Sequence, residues 1–464
     1  MKKIMAIYML VIVFCMSLCA CGSKDKAGDS DSDNAEHFST LHSVDGNNVS
    51  SENGKLRLLS SRYGEGSCIT ENGYYYLVND TVELRDGTYG THLMYMDFAT
   101  GQEIYLCSTA GCKHDSPDCP AVFLYDDFPT WTTILFVFRD NLYILSREYD
   151  NDGSMSQDTM TIGDSKVESQ PATLYRAKLD GTERKKIYTF DPELTLEDKV
   201  FGNDDGIYVV TKKLSVEKNG NLTYTTSSER KLMFLDLDSL SIREMCSMTF
   251  DDNISWQVIG CCQNDFVLSG TDFGKEISQD EKWNDDLYRE LYNNSSQVYA
   301  VLNPNDGKLK ELCRQSNSYE NSSQIIGDSL YLSSTENQNI EVLNIRTGEN
   351  KTLCSLPQNF LMDAFGDTLC CRDWNLAEDP TFYFVNTKTG TITHTPLTIL
   401  CNGWSIDFRG ETSSDILFIY DYDATAHEDG SYEIYQYKHA LISKEDLFEG
   451  RENYREIEMI GPGE

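Results

Sequence analysis

LMYMDFATGQEIYLC, from Leu93 to Cys107, reads as a strand, a tight turn and a returning strand. Apolar and aromatic residues lead into Asp97-Phe98-Ala99-Thr100-Gly101, and Gly101 supplies the positive φ that a tight hairpin demands. The same sentence recurs down the chain. TLYRAKLDGTERKKIYTF begins at Thr173, LMFLDLDSLSIREMC at Leu232, QVYAVLNPNDGKLKELC at Gln297 and IEVLNIRTGENKTLC at Ile340. FYFVNTKTGTITHTPL begins at Phe382, and a longer version, IYQYKHALISKEDLFEGRENYREIEMI, at Ile434. Before each lies a second signal, a polar turn followed by an aromatic-rich strand. These are NGYYYLV (Asn72), DNLYILS (Asp140), DGIYVVT (Asp205), NDFVLSG (Asn264), DSLYLSS (Asp328), DTLCCRD (Asp367) and DILFIYD (Asp415).

Seven such units fill the chain from Gly66 to Ile460. A small four-stranded sheet leaves one greasy side uncovered until a neighbour packs on it, so a run of seven predicts an all-β chain closed into a seven-bladed β-propeller. A pair of β-sandwich domains is the other architecture compatible with many short strands. It fits less well, because the repeat runs through the middle without a linker. The only helical stretch expected lies near Asp280 to Asn293.

The 464 residues carry 75 acids against 39 Lys and Arg, a formal net charge of -36. Such a surface repels phosphate backbones, which argues against a nucleic-acid partner. Anionic lipid headgroups repel it too, so membrane contact needs a dedicated anchor.

The N-terminus offers one. Lys2 and Lys3 precede an apolar run from Ile4 to Leu18, short for a membrane span and suited to a secretory signal. Leu18-Cys19-Ala20-Cys21-Gly22 then resembles the lipobox of bacterial lipoproteins. That resemblance implies a signal peptide over residues 1–20, cleavage before Cys21 and diacylglyceryl transfer to the Cys21 thiol, with two acyl chains giving the anchoring that one cannot. An uncleaved N-terminal transmembrane helix is the alternative. Residues 22–54 are small, polar and acidic without an apolar period, which predicts a disordered tether of roughly 30 Å root-mean-square span. The propeller is expected over residues 55–464, facing outside the cytoplasm on the cell membrane.

The aromatic second strands and D-x-x-[ST]-G turns such as Asp97 to Gly101 are similar to those of bacterial surface lipoproteins bearing a low-density-lipoprotein-receptor-like propeller. These motifs are structural, so the resemblance implies a fold and no catalytic residue.

Twelve cysteines follow Cys21, an unusual complement for an exported protein unless its surroundings are reducing. Cys107, Cys246, Cys313 and Cys354 share one position in the fourth strand of their units and read as small hydrophobes. The vicinal pairs Cys261-Cys262 and Cys370-Cys371 read as packing on opposite faces of a strand. Cys112, His114 and Cys119 have no counterpart elsewhere. With Cys107 they spell C-x4-C-x-H-x4-C, three thiolates and one imidazole, which is a legitimate tetrahedral set for a structural zinc. A Cys112–Cys119 disulfide with a solvated His114 is the alternative, and a free-thiol loop a third.

No nucleophile elbow, H-E-x-x-H or phosphate loop is present. Glu148 to Gly153 opens like a calcium loop, but Thr159 stands where a bidentate Glu is needed. Insertions at Asp150–Pro171, Ser215–Arg230, Phe273–Ser296 and Asp421–Tyr432 carry Tyr224, Trp283, Tyr288, Tyr292 and Tyr432, residues suited to sugar or peptide contacts. The expected function is therefore a ligand- or protein-binding module, with an exported hydrolase or lyase acting on glycans as the alternative.

Overall fold

The computed structural model describes residues 55–460 other than 62–65, 79–80, 125–131, 148, 151–160, 163–168, 220–221, 251–253, 279–280, 282–283, 319–320, 334–337, 358–359, 374–380, 397–399, 402–403, 406 and 428–431. The leader, Cys21, the tether and most of Glu148–Gly153 thus lie outside the described residues, as do Trp283 and the side chains of Tyr224 and Tyr432.

Seven antiparallel four-stranded blades form a closed β-propeller. Their first strands are Ser67–Ile69, Thr133–Phe138, Leu194–Gly202, Ile254–Cys262, Ser323–Ile326, Phe360–Phe365 and Asp407–Glu411. These innermost strands converge on the axis, and each later strand of a blade lies one step further out.

Strand alternation explains why the ring closes. Neighbouring residues point to opposite faces, so each blade feeds two separate cores. In blade 1, Tyr75, Leu77, Leu93 and Tyr95 meet Leu135, Leu142 and Ile144 of blade 2. Tyr74 and Met96 turn the other way, onto Leu417 and Leu441 of blade 7. In blade 6, Cys370 enters the core shared with blade 7 and Cys371 the core shared with blade 5, as expected of a vicinal pair. Every blade-to-blade seam is filled in this way. The chain end completes the seam between blades 7 and 1. The Glu103 N–H donates to the Glu458 carbonyl (2.8 Å), the Glu458 N–H to the Gly101 carbonyl (2.8 Å) and the Ile460 N–H to the Glu103 carboxylate (2.7 Å).

The turn motif has a mechanical reading. Asp97, Asn303, Asn344 and Asn386 each accept a hydrogen bond two residues on from the backbone, the Asx turn that their side chains favour. The glycine four residues later adopts positive φ at 101, 307, 348 and 390. Some of these turns press on the fourth strand of the preceding blade: Gly307 faces the Cys246 side chain, and Gly390 the Leu353 carbonyl. The repeated cysteine sits where that strand bulges, just after Met245, Leu312 and Leu353. Cys246, Cys313 and Cys354 are half-buried rather than fully enclosed, each at the rim of a blade seam.

Two expected loops are strands. Ser215–Arg230 continues the central hairpin of blade 3, Gly206–Asn219 with Leu222–Asp236, beyond the ring. Asp421–Tyr432 likewise lengthens the blade 7 hairpin, Asp415–Ala426 with Tyr432–Ser443. The expected helix is observed, starting slightly later, as Asp285–Asn293 capped by Asn284. Among the described residues no helix is long and apolar enough to cross a membrane.

A second helix, Lys444–Glu449 capped by Ser443, was not expected, and neither was a short strand ahead of the first blade. Arg57–Leu58 pairs antiparallel with the inner edge of blade 3, Arg57 opposite Gly202 and Leu58 opposite Phe201. Leu56 donates from its N–H to the Gln263 carbonyl of blade 4 (3.0 Å), and Ser60 Oγ accepts from Val200 N–H (3.1 Å). The segment before the first blade is therefore bedded between the innermost strands of blades 3 and 4.

A candidate metal centre in the outer edge of blade 1

The third strand of blade 1, Tyr89–Asp97, is longer than its partner. Its lower half pairs with Gln102–Tyr105, Met94 opposite Tyr105. Its upper half pairs with Val122–Leu124, His92 opposite Val122. The outer strand of this blade is therefore split, and the chain leaves it after Tyr105 and returns at Val122. What appears in sequence as a link between blades is an excursion from a single edge.

All four candidate residues lie in that excursion. The chain tightens at Leu106, where the Cys107 N–H reaches the Tyr105 carbonyl (2.6 Å) and the Leu106 N–H the Leu93 carbonyl (3.0 Å). Gly111 at positive φ turns the loop just before Cys112, whose N–H meets the Thr109 carbonyl (3.2 Å). A further turn places the Cys119 N–H on the Ser116 carbonyl (2.9 Å). These turns bring the Sγ atoms of Cys107, Cys112 and Cys119 and one ring nitrogen of His114 within 4.8 Å of one another. All three cysteines carry free thiols in this structure.

The surroundings are apolar and clamped. Leu84, Ala121 and Val122 pack about Cys107 and Cys119, both of which are buried. Outside, Arg85 Nε holds the Asp115 carboxylate at 2.6 Å. Arg184, from blade 2, donates to the Pro120 and Val122 carbonyls (3.2 and 2.9 Å) and lies 4.0 Å from the Phe123 ring centre. Hydrogen bonding from Cys119, helped by His114 and Thr109, draws the Cys107 thiol below its ordinary value against the opposing effect of burial. Cys119, which shares that hydrogen bond, is pushed up. Soft thiolates with one imidazole, close together and largely enclosed, could hold a metal ion.

Sequence reading missed two members of this neighbourhood. His92 and Tyr105 lie outside the loop, on the strands it leaves and rejoins. His92 Nε2 is 2.7 Å from the His114 carbonyl, and the Tyr105 ring stacks on the His114 ring with centroids 4.2 Å apart. Among the described residues, His439 lies against the Tyr74 and Tyr76 rings and His394 is tilted against Tyr383.

No family model matches the chain and no curated protein matches it. Solved structures that resemble it include an oligogalacturonate lyase in complex with manganese, at 12% identity over 79% of this chain and 94% of that one, TM-score 0.37. A puromycin hydrolase is 11% identical over 86% of this chain and 54% of that one, TM-score 0.43. A nidogen–laminin complex matches at 11% identity over 73% of this chain and 91% of that one, TM-score 0.28. At these scores none of the three bears on what this chain binds.

Proposed function

We propose that this chain is a lipid-anchored, extracytoplasmic propeller that binds a peptide, protein or carbohydrate partner on one face. The observation that carries this reading is the placement of the insertions. In each blade the turn between first and second strands and that between third and fourth strands lie at one end of the ring. The links between second and third strands, and between blades, lie at the other. Long excursions fall at this second end: the metal loop, the blade 3 and blade 7 hairpins and the Asp285–Asn293 helix. A rigid ring with loops gathered at one end is the common build of a binding surface. Exposed Tyr435 and Tyr437 and half-buried Tyr288 and Tyr292 stand there, amphipathic rings suited to such contacts. The lipobox around Cys21 supports the anchor and the location, and the net charge of -36 argues against nucleic acid. Within this reading the Cys/His cluster carries a structural zinc. All four ligand positions come from protein, so the ion would fix the loop and leave no place for a reacting water.

The test uses the full chain in detergent on glycan and peptide arrays, beside a Tyr435→Ala/Tyr437→Ala variant and a variant of the opposite face, Arg346→Ala. Binding that is weakened only by the tyrosine changes supports the reading. Turnover of a ligand, or loss of binding from the Arg346 face alone, overturns it.

A further inference from the structure

We infer that zinc is taken by Cys107, Cys112 and Cys119 Sγ and by the Nδ1 atom of His114, and that His92 and Tyr105 form a preset bracket which aims that nitrogen. This rests on the zinc reading above and adds which atom binds and what holds it there.

The argument begins with the backbone. His114 sits at φ 54°, the left-handed region that a side-chain-bearing residue rarely adopts. Something must hold it. The His114 carbonyl is fastened by His92 Nε2 at 2.7 Å, short for a nitrogen–oxygen hydrogen bond, with the ring N–H donating. His92 comes from the long strand of blade 1, is itself 4% exposed, and so brings the rigidity of the blade into the loop. Its other nitrogen, Nδ1, is buried without a hydrogen-bond partner among the described residues. The single bond to His114 is then what this ring contributes in polar contacts.

The imidazole plane is fixed separately. Tyr105 lies flat on His114, rings 12° from parallel, and meets His92 edge-on with centroids 5.1 Å apart. Stacking of this kind leaves the His114 ring little freedom to rotate. It aims Nδ1 at Cys119 Sγ, 3.4 Å away. A tetrahedral ion with Zn–S about 2.3 Å and Zn–N about 2.0 Å has a nitrogen-to-sulfur edge of about 3.5 Å. The observed separation is close to that edge, and the atom that stands there is Nδ1. On binding, each Zn–S bond replaces an S–H, and the protons pass to solvent while the zinc keeps its charge state.

Outer partners that orient a metal-binding histidine typically matter by about 10–100-fold in affinity. His92 and Tyr105 are thus positioning residues for this site. The test titrates the full chain in detergent with Zn²⁺, and with Co²⁺ as a spectroscopic probe. His92→Leu is expected to weaken binding by about 10–100-fold and to distort the cobalt spectrum. His92→Gln, which retains a donor for the His114 carbonyl, is expected to restore much of both. Tyr105→Phe keeps the stack and should bind as wild type, whereas Tyr105→Ala should not. Nitrogen NMR of the zinc-loaded chain should place the metal on Nδ1. Wild-type chain that takes up no zinc overturns the zinc reading. Chain that binds zinc through Nε2, or equally well as His92→Leu, overturns the bracket alone.

Discussion

Removing the metal should loosen one loop and leave the ring intact. In the loaded state the ion ties Cys107 to Cys119 and closes a ring of about thirteen residues. Constraining a loop of that length lowers the entropy of its open form by an amount worth about 3 kcal/mol, on the polymer estimate used for cross-links. Every 1.4 kcal/mol is tenfold, so chelation is expected to raise the opening equilibrium of the loop roughly 150-fold. The amide protons of Ser108 to Asp118 would then exchange about two orders of magnitude faster. Melting should stop at the clamps. Arg184 still spans Pro120 and Val122 just beyond the loop, whereas the Arg85 N–H bond to the Asp115 carbonyl lies inside it and opens with it. Amides of Gly73–Leu77, in the middle of the blade, should not change. The assay is amide hydrogen exchange by mass spectrometry on the full chain, with zinc, with chelator, and with chelator followed by zinc. Exchange indifferent to chelator but accelerated by reductant would refute the reasoning and favour a Cys112–Cys119 disulfide. Acceleration spread evenly over all seven blades would refute the local account of the loop.

Three further outcomes follow from packing and charge. Gly206 begins the second strand of blade 3 beneath Phe234, and a Cβ there would lie 2.2 Å from the Leu235 carbonyl oxygen; Gly206→Ala should cost about 1–3 kcal/mol, read as a lower denaturant midpoint with unchanged slope. His439 is pushed down to about 3, first by burial and then by the charge of Arg409, against the help of the Tyr437 carbonyl. The unfolded chain therefore takes up a proton near 6.5 that the folded chain refuses, and stability falls by about 1.4 kcal/mol per pH unit from 6.5 down to 3. His439→Gln removes this slope, so between pH 7 and pH 5 it should lose about 2 kcal/mol less than wild type in urea unfolding, and equal losses would count against it. Burial raises the Cys68, Cys370 and Cys371 thiols; alkylation followed by peptide mapping should find them modified only after unfolding.

The ring was legible because it is repetitive. Asp97, Asn303, Asn344 and Asn386 mark the same turn, and the alternation of Tyr74 with Tyr75 or Cys370 with Cys371 announces sheets buried on both faces. What escaped notice departs from the repeat. Arg57–Leu58 is too short to show a period, and only its pairing with Gly202 and Phe201 reveals it as a strand. Ser215–Arg230 is rich in Ser and Thr, so it carried no alternating apolar signal even though it continues the hairpin pairing. His92 and Tyr105 looked like ordinary strand residues, because contact with His114 depends on a loop folding back over the strand that launched it.

That last case says why the excursion matters. Four blades carry cysteine at one repeated position of the fourth strand, in three of them at a bulge. In blades 3, 4 and 5 the strand runs on to its end, and the thiol stays at a seam as filler. In blade 1 the strand breaks off at Tyr105, and the equivalent thiol is released to face Cys112, His114 and Cys119 instead. The long partner strand still needs its upper hydrogen bonds satisfied, and Val122–Leu124 supplies them. Both ends of the loop are thereby pinned to one rigid edge, Tyr105 at the exit and Val122 at the return. A loop of this length held at both ends has few ways to close, and one of them gathers three thiols and an imidazole beside a residue, His92, that the blade had already set in place.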